Sequence, residues 1–219
     1  MPRSKKTRTK FTEAPEPRHV RKMKQVRMEV AAEAARILAT EGQHNYHAAK
    51  KKAAERIGVS ERLALPSNIE VKDALRSYQA LYGGPAHRQN IEKLRRSALR
   101  SMQFLDDFQP RLVGAVLDGT ASAHSRIALH VFADAIESLI LFLVERGTAF
   151  SQEQRQIRWY DGGHRIVPLV ILELGDLEIE MTVFEPVHLR QAPPSPIDGR
   201  PQRRASVSEV ECLLSEPIT

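Results

Sequence analysis

The sequence has little cysteine and no long apolar run. Cys212 is the single cysteine among 219 residues, and one thiol cannot form an internal disulfide. Disulfide-stapled secreted scaffolds are therefore excluded, and a reducing compartment is favoured. The longest apolar stretch, residues 136–144, is interrupted by Glu137 and is far shorter than the roughly 20 residues that a membrane-spanning helix needs. No apolar segment follows the basic N-terminus, so we expect no secretory signal, and we predict a soluble cytoplasmic protein without a membrane partner.

Two common nucleotide-binding signatures are also missing. No glycine-rich loop followed by Lys-Ser or Lys-Thr occurs in the sequence, which weighs against a P-loop ATPase and against an amide ligase that relies on such a loop. The second half of the chain, with its predicted order of strand, helix, hairpin and strand, also lacks the strand–helix–strand unit of a dinucleotide-binding fold. A nucleotide site in this chain must therefore be built in another way.

The sequence is instead rich in basic residues. Its formal net charge is +6, which favours contact with polyanions such as nucleotides or RNA, and its hydrophobic content of 42% is enough for a packed core. Residues 1–20 combine proline and threonine with basic residues and have almost nothing to bury, which predicts a disordered basic tail. The tail either attracts RNA through its phosphates or only keeps the protein in solution.

Residues 21–84 are predicted to form a helical module. Apolar residues recur in its first part at spacings of three and four, as in an amphipathic helix, at Met23, Val26, Val30, Ala34 and Ile37. A second helix is predicted between Asn45 and Gly58, and Ser67 with Glu70 forms a capping box that begins a third. The sequence Gly83-Gly84-Pro85 ends this third helix and marks a domain boundary, so residues 85–219 form a second domain.

The second domain mixes strands and helices. After a fourth helix, residues 111–117 are predicted to be a strand that ends at Asp118-Gly119-Thr120, and residues 127–131 alternate as in a half-buried strand. A helix over 135–146, a hairpin over 156–174 and a strand over 177–184 follow. We therefore expect an α+β fold, with a helical N-terminal module followed by a small mixed β-sheet core with flanking helices.

The segment 112–132 resembles the polymerase-beta-like nucleotidyltransferase superfamily. Its sequence is LVGAVLDGT followed, after a short gap, by SRIALHVF. In that superfamily a strand ends in a Gly-Ser turn that holds phosphate, the next strand carries Asp-x-Asp, and a later strand supplies a third acid. Over nearly its full length the chain also resembles a group of proteobacterial proteins described as nucleotidyltransferase-like, a wider resemblance that implies no particular reaction.

The resemblance implies a phosphate-binding turn and an acidic strand. Gly119 and Thr120 stand for the Gly-Ser pair, with Ser122 beside them as a further contact to a nucleotide. Glu178 and Glu180, on the polar face of the strand 177–184, stand for the third acid and are the candidate catalytic and Mg²⁺ ligands. Two metal ions in such a site align the attacking hydroxyl and stabilise the leaving pyrophosphate.

The sequence departs from the superfamily at the Asp-x-Asp motif, where it has Arg126-Ile127-Ala128 with His130 as the next outward residue. Mg²⁺ requires oxygen ligands, so either transfer activity is lost or other groups serve the site, with His130 as a candidate catalytic residue. His124, Arg126, Arg190 and Arg200 are candidate phosphate-binding residues, because arginine binds phosphate with two parallel hydrogen bonds. Alternatively, Arg126 and the two glutamates only form cross-strand ion pairs.

Three functions follow as hypotheses. The first is a divergent nucleotidyltransferase-like protein that binds a nucleotide or another phosphate-bearing ligand, with little or no transferase activity. The second is a non-enzymatic RNA-binding module that uses the basic tail and helices. The third is an adaptor that docks a protein partner. Metal-dependent nucleotide binding favours the first hypothesis, whereas a steep loss of affinity with salt favours the second.

Overall fold

A computed structural model describes residues 18–43, 45–60, 65–123, 125–175 and 177–215. Most of the predicted basic tail, residues 1–17, lies outside the described residues. The helices α1–α7 span Arg18–Thr40, Tyr46–Ile57, Asn68–Tyr82, Gly84–Phe104, Gly114–Asp118, Ile136–Glu145 and Val207–Ser215. The strands β1–β5 span Arg111–Val113, Ile127–Phe132, Phe150–Arg158, His164–Leu174 and Leu177–Phe184. Within the described ranges, no helix is long and apolar enough to cross a membrane.

The first three helices form one apolar cluster of their own. Its buried members are mostly small or β-branched residues, which allow the helices to approach closely: Val30, Ala31, Ala34, Ala35, Ile37, Leu38, Ala49, Ala53, Ala54, Val71 and Leu75. The Asn45 side chain caps α2 by accepting hydrogen bonds from two backbone N–H groups of its first turn. The predicted capping box is confirmed, because Ser67 and Glu70 each accept a hydrogen bond from the backbone N–H of the other.

The five strands form one mixed sheet in the order β1-β2-β5-β4-β3. Only the β2–β5 pair is parallel, with Leu129 opposite Met181, and the other three pairs are antiparallel. This arrangement confirms the α+β class and the mixed sheet. The inner face of the sheet packs beneath α4, α6 and α7, and its buried residues are Ile127, Leu129, Val131, Val170, Leu172, Ile179, Met181 and Val183. This inner-face cluster begins at α4, after Gly83; the domain boundary at residue 84 stays a prediction.

The predicted strand over 111–117 is wrong beyond Val113. Gly114 adopts a φ of 73°, which turns the chain out of β1, and the next residues form α5 instead. Val116 and Leu117 are buried in the inner-face core. An apolar run that is buried in this way fits a strand or a short helix equally well, so its periodicity could not separate the two.

Candidate functional site

The outer face of the sheet, opposite the apolar core, is the floor of a cleft of about 1000 Å³. Ala128 and His130 of β2 and Thr182 of β5 form this floor. One wall is the β1–α5 junction with Thr120, and the opposite wall is the end of β3 over residues 155–160. The first turns of α2 and α3 and the loop 194–202 complete the cleft, so both the N-terminal helices and the sheet contribute to it.

The loop over the cleft is held in a defined conformation. Ser195 and Arg200 are joined by a backbone hydrogen bond of 2.7 Å, and the backbone N–H of Gln202 donates to the carbonyl of Pro193. The side chain of Asn68 donates to the carbonyl of Pro196 over 2.8 Å, which fastens the loop to α3. This contact joins α3 directly to the loop that lines the cleft.

His130 lies on the cleft floor as a buried, neutral imidazole. Its side chain is 4% exposed, and Nε–H of Arg204 donates to its Nδ1 over 2.9 Å. Burial, with the nearby charges of Arg204 and Arg155, lowers the pKa of His130 to about 3. His130 therefore carries no proton on Nδ1 at neutral pH, and its role there is to accept a hydrogen bond rather than to hold a charge.

Arg204 is a half-buried cation that contacts His130 of the cleft floor. Its guanidinium donates to the carbonyl of His188 over 2.6 Å and lies 5.1 Å from the ring centre of Phe132. None of the described carboxylates pairs with it, and one of its η nitrogens is buried without a hydrogen-bond partner in the described part of the chain. Burial and the charge of Arg111 lower its pKa to about 10, so it stays positively charged at neutral pH.

The predicted acidic residues lie on the outer face, at the edge of the cleft, and are paired with arginines. Arg126 contacts both Glu178 and Glu180, and Arg155 donates to Glu180 over 2.5 Å. Burial opposes ionisation of Glu180, but the hydrogen bonds from Arg155 and Arg126 outweigh it and lower its pKa. The structure thus contains the cross-strand ion pairs that were one of the two interpretations of these residues, and neither glutamate lines the cleft.

A pair of divalent cations does not fit these residues. Among the described residues, no group of three or more histidine, cysteine, aspartate or glutamate side chains is placed to hold a metal ion. Asp118 is the one carboxylate among the described residues that line the cleft, and it is held by Lys72 at 2.6 Å and by Arg76 at 4.0 Å. Mg²⁺ binding by Glu178 and Glu180 stays a prediction.

The predicted phosphate turn forms the C-terminal cap of α5. Gly119 adopts a φ of 74°, and its backbone N–H donates to the carbonyl of Val116, while the N–H of Thr120 donates to Ala115. The backbone N–H of Ser122 donates to the hydroxyl of Ser125 over 2.8 Å. These three N–H groups are engaged within the fold, although Thr120 itself lines the cleft.

The remaining predicted residues lie apart from the cleft or outside the described ranges. Arg190 is exposed at the end of a short 3₁₀ helix, Pro186–Leu189, and Arg200 is exposed on the loop beside the cleft. Neither lines the cleft, and His124 lies outside the described residues. Thr120 and His130 are thus the predicted site residues that the structure places in the cleft.

Several residues of the cleft were missed by sequence reasoning. Tyr46 lines the cleft from α2, and burial, followed by the charge of Asp118, raises its pKa to about 12. Arg158, Trp159 and Tyr160 line it from the end of β3. The sequence Arg-Trp-Tyr just before the Asp-Gly-Gly turn was a usable signal, because arginine and aromatic residues at a strand end are a common ligand-binding combination.

Comparison with protein-family models, with curated proteins and with solved structures finds no match to this chain.

Proposed function

We propose that the cleft binds a nucleotide or another phosphate-bearing ligand and does not carry out metal-dependent nucleotidyl transfer. The observation that carries this proposal is the balance of charge around the cleft. Arg155 and Arg158 line it, and Arg204 contacts His130 of its floor. Asp118, the one carboxylate among the described residues that line it, is already neutralised by Lys72. A concave site with this balance favours an anion, because it supplies positive charge without a competing free carboxylate.

Arg158 is the candidate for contact with the anionic group, because it lies among the residues that line the cleft and is not engaged in an ion pair among the described residues. Its side chain is exposed at the end of β3. Arg155 is already bound to Glu180, so its charge is partly used within the protein. An unpaired guanidinium can form two parallel hydrogen bonds to a phosphate without first losing a carboxylate partner.

Aromatic side chains in the cleft supply a surface for a base. Tyr46 lies at the start of α2, and Trp159 and Tyr160 lie at the opposite wall. Trp159 is 7% exposed and is covered by Arg165, whose guanidinium lies 4.2 Å from the ring centre, so the accessible ring at this wall is Tyr160, at 45% exposure. Tyr160 is held by its hydroxyl, which donates to the carbonyl of Ala192. Rigid rings stack on nucleobases at low entropic cost, and such stacking contributes about 1–3 kcal/mol per base.

The test is thermal unfolding against a panel of nucleoside mono-, di- and triphosphates, each with and without Mg²⁺. We expect a shift with at least one nucleotide that does not require Mg²⁺. Arg158→Gln should weaken that nucleotide about tenfold, as expected for the loss of one charge-assisted contact. The matched control is Arg96→Gln on the exposed surface of α4, which should leave affinity unchanged. A flat panel, or equal effects of the two variants, contradicts the proposal.

Dependence on Mg²⁺ would lead to a different conclusion. If binding requires the metal and the double variant Glu178→Gln/Glu180→Gln abolishes that requirement, these glutamates are metal ligands as the superfamily resemblance implies. If the requirement persists in the double variant, other acids hold the metal. Either result would show that the cleft binds a nucleotide but that this binding depends on a metal, which contradicts the metal-independent binding proposed above.

A second function, RNA binding, is favoured by the first turns of α1. Arg21, Lys22 and Lys24 are exposed and have no ion pair in the described part of the chain, and Met23 and Met28 expose apolar surface on the same helix. Changing the three basic residues to glutamine should lower the affinity for RNA. It should also make the slope of log affinity against log salt concentration shallower by about 0.7 for each phosphate contact that is lost. The same variant should leave mononucleotide binding unchanged, which separates this surface from the cleft.

A further inference from the structure

The two edges of the sheet differ in whether their backbone groups are used. At the β1 edge, the N–H and C=O of Leu112 form hydrogen bonds of 2.8 and 2.9 Å with Ala205, which closes that edge. At the other edge, none of the described residues pairs with the outer side of β3. β3 spans nine residues, and most of its side chains are exposed. An open edge of this length can accept another strand.

The hydrogen-bond pattern identifies which residues of β3 face outward. The N–H of Trp159 donates to the carbonyl of Gly163, so odd-numbered residues of β3 bond to β4. The even-numbered residues therefore direct their N–H and C=O groups away from the sheet: Phe150, Gln152, Gln154, Gln156 and Arg158. The position of Pro168 agrees with this assignment, because it lies opposite Gln154, where an antiparallel pair exchanges no hydrogen bonds.

We propose that β3 pairs with β3 of a second copy of this chain, antiparallel and about a twofold axis at Gln154. Gln154 is the midpoint of the strand, so this register pairs all nine residues and satisfies every outward N–H and C=O group. The two five-stranded sheets join into one continuous sheet.

Charge complementarity selects this register over its neighbours. An axis at Gln154 places Glu153 opposite Arg155 of the partner copy, and the symmetry creates this pair twice. An axis at residue 153 would place two Glu153 side chains opposite each other, and an axis at residue 155 would do the same with Arg155. These three registers keep the outward hydrogen bonds near the centre of the strand. Of the three, the register with its axis at Gln154 is the one that places opposite charges across from each other.

Within the described ranges of one copy, no cation forms an ion pair with Glu153. Its charge acts on Arg126, and it belongs to the same outer face as Glu178 and Glu180. The described arginines on that part of the face, Arg126 and Arg155, are already engaged by Glu178 and Glu180. A guanidinium has five N–H donors, so the Arg155 side chain of a second copy can keep its contact with its own Glu180 and still reach Glu153.

The test is sedimentation velocity of the full chain over a wide concentration range. We expect a monomer–dimer equilibrium whose dissociation constant rises at least about tenfold in Gln154→Pro, which removes the two hydrogen bonds on the axis, and in Glu153→Arg, which makes both cross-strand pairs repulsive. Glu145→Arg, which makes the same charge change on α6, should have no effect. A mixture of Glu153→Arg and Arg155→Glu should form a heterodimer, because both pairs become attractive again.

Hydrogen exchange gives an independent result that a misfolded variant cannot imitate. In the wild-type protein, the amides of Gln152, Gln154 and Gln156 should become protected as concentration rises, while the amides that bond to β4 stay protected throughout. A protein that is monomeric at every concentration overturns the proposal. A dimer that resists both Gln154→Pro and Glu153→Arg, or that leaves these three amides exchanging freely, overturns it as well.

Discussion

The two faces of the sheet differ in how their buried residues are stabilised. On the inner face, the parallel β2–β5 ladder pairs apolar side chains at every step, with Leu129 opposite Met181. On the outer face, the same two strands pair Ala128 with Glu180 and His130 with Thr182. Both His130 and Thr182 are nearly as buried as the inner residues, at 4% and 2% exposure. Burial alone therefore does not distinguish the two faces.

The difference lies in what burial requires of each residue. Apolar side chains gain stability in proportion to the area removed from water, whereas a buried polar group needs a hydrogen-bond partner. His130 meets that requirement by staying neutral and accepting from Arg204. The outer face can therefore keep polar groups at the cleft floor without losing stability, and the cleft that we propose to bind an anion lies on that face.

The largest effect should come from the inner face. Leu129 is fully buried in the core, so Leu129→Ala should lower the free energy of unfolding by about 3 kcal/mol through lost apolar contact and an unfilled cavity. Gln156→Ala, on the exposed edge strand, should change it by less than about 0.5 kcal/mol. Urea unfolding measures both. A cost for Leu129→Ala close to that of Gln156→Ala would show that the inner face is not the main source of stability.

On the outer face, Glu180 and Glu178 form a matched pair. The Glu180 side chain is 14% exposed and bound by two arginines, so Glu180→Gln should cost about 2 kcal/mol. The Glu178 side chain is 41% exposed and is bound by one arginine, so Glu178→Gln should lower the free energy of unfolding by less than about 1 kcal/mol. Because the folded pKa of Glu180 is lowered, its contribution is present above pH 4.5 and is lost as the pH falls below that value. Urea unfolding at neutral pH should show the larger loss of stability in Glu180→Gln. Equal losses in the two variants would contradict a larger contribution from the two arginine contacts of Glu180.

His130 should give the outer face a dependence on pH that the inner face lacks. Its pKa is about 3 in the folded protein and 6.5 when unfolded, so between these values only the unfolded chain takes up the proton. The stability that this site contributes is complete above pH 6.5 and falls by up to about 1.4 kcal/mol per unit as the pH decreases.

The control is His130→Gln, which keeps an acceptor for Arg204 but does not titrate. His130→Gln should remove the contribution of His130 to the slope of the free energy of unfolding against pH between pH 6.5 and about 5. His164→Gln, at an exposed position of β4, should leave this slope as in the wild type. Chemical unfolding over this pH range measures the difference. If His130→Gln retains the wild-type slope, the imidazole is not held neutral by burial.

The features that were predictable from the sequence are the local ones. The capping box at Ser67 was correctly predicted, because it depends on residues three apart whose side chains and backbone bond to one another. The alternation over 177–184 correctly placed Glu178 and Glu180 together on one face of β5, since side chains in a strand alternate regardless of tertiary context.

The cleft was not predictable in the same way. Asn68, Gly114 and Trp159 meet there, although they are far apart in the sequence and belong to α3, the β1–α5 junction and the end of β3. Local periodicity carries no information about such contacts. The superfamily resemblance puts the phosphate turn at Gly119, after a predicted strand over 111–117, whereas β1 ends at Val113 and the cleft wall begins there.

Gly119 gives the smallest predicted effect and separates folding from binding at that turn. Its φ of 74° favours glycine, so Gly119→Ala should lower the free energy of unfolding by about 1 kcal/mol by straining the α5 cap. A Cβ at this position would lie 3.6 Å from Arg95, an ordinary contact, so the cost comes from the backbone. If the turn acts only as a cap, nucleotide affinity of the folded variant should equal that of the wild type, while Arg158→Gln weakens it. If Gly119→Ala or Gly119→Val abolishes binding in a protein that remains folded, as the superfamily resemblance implies, the anion is held at α5 and not at the end of β3.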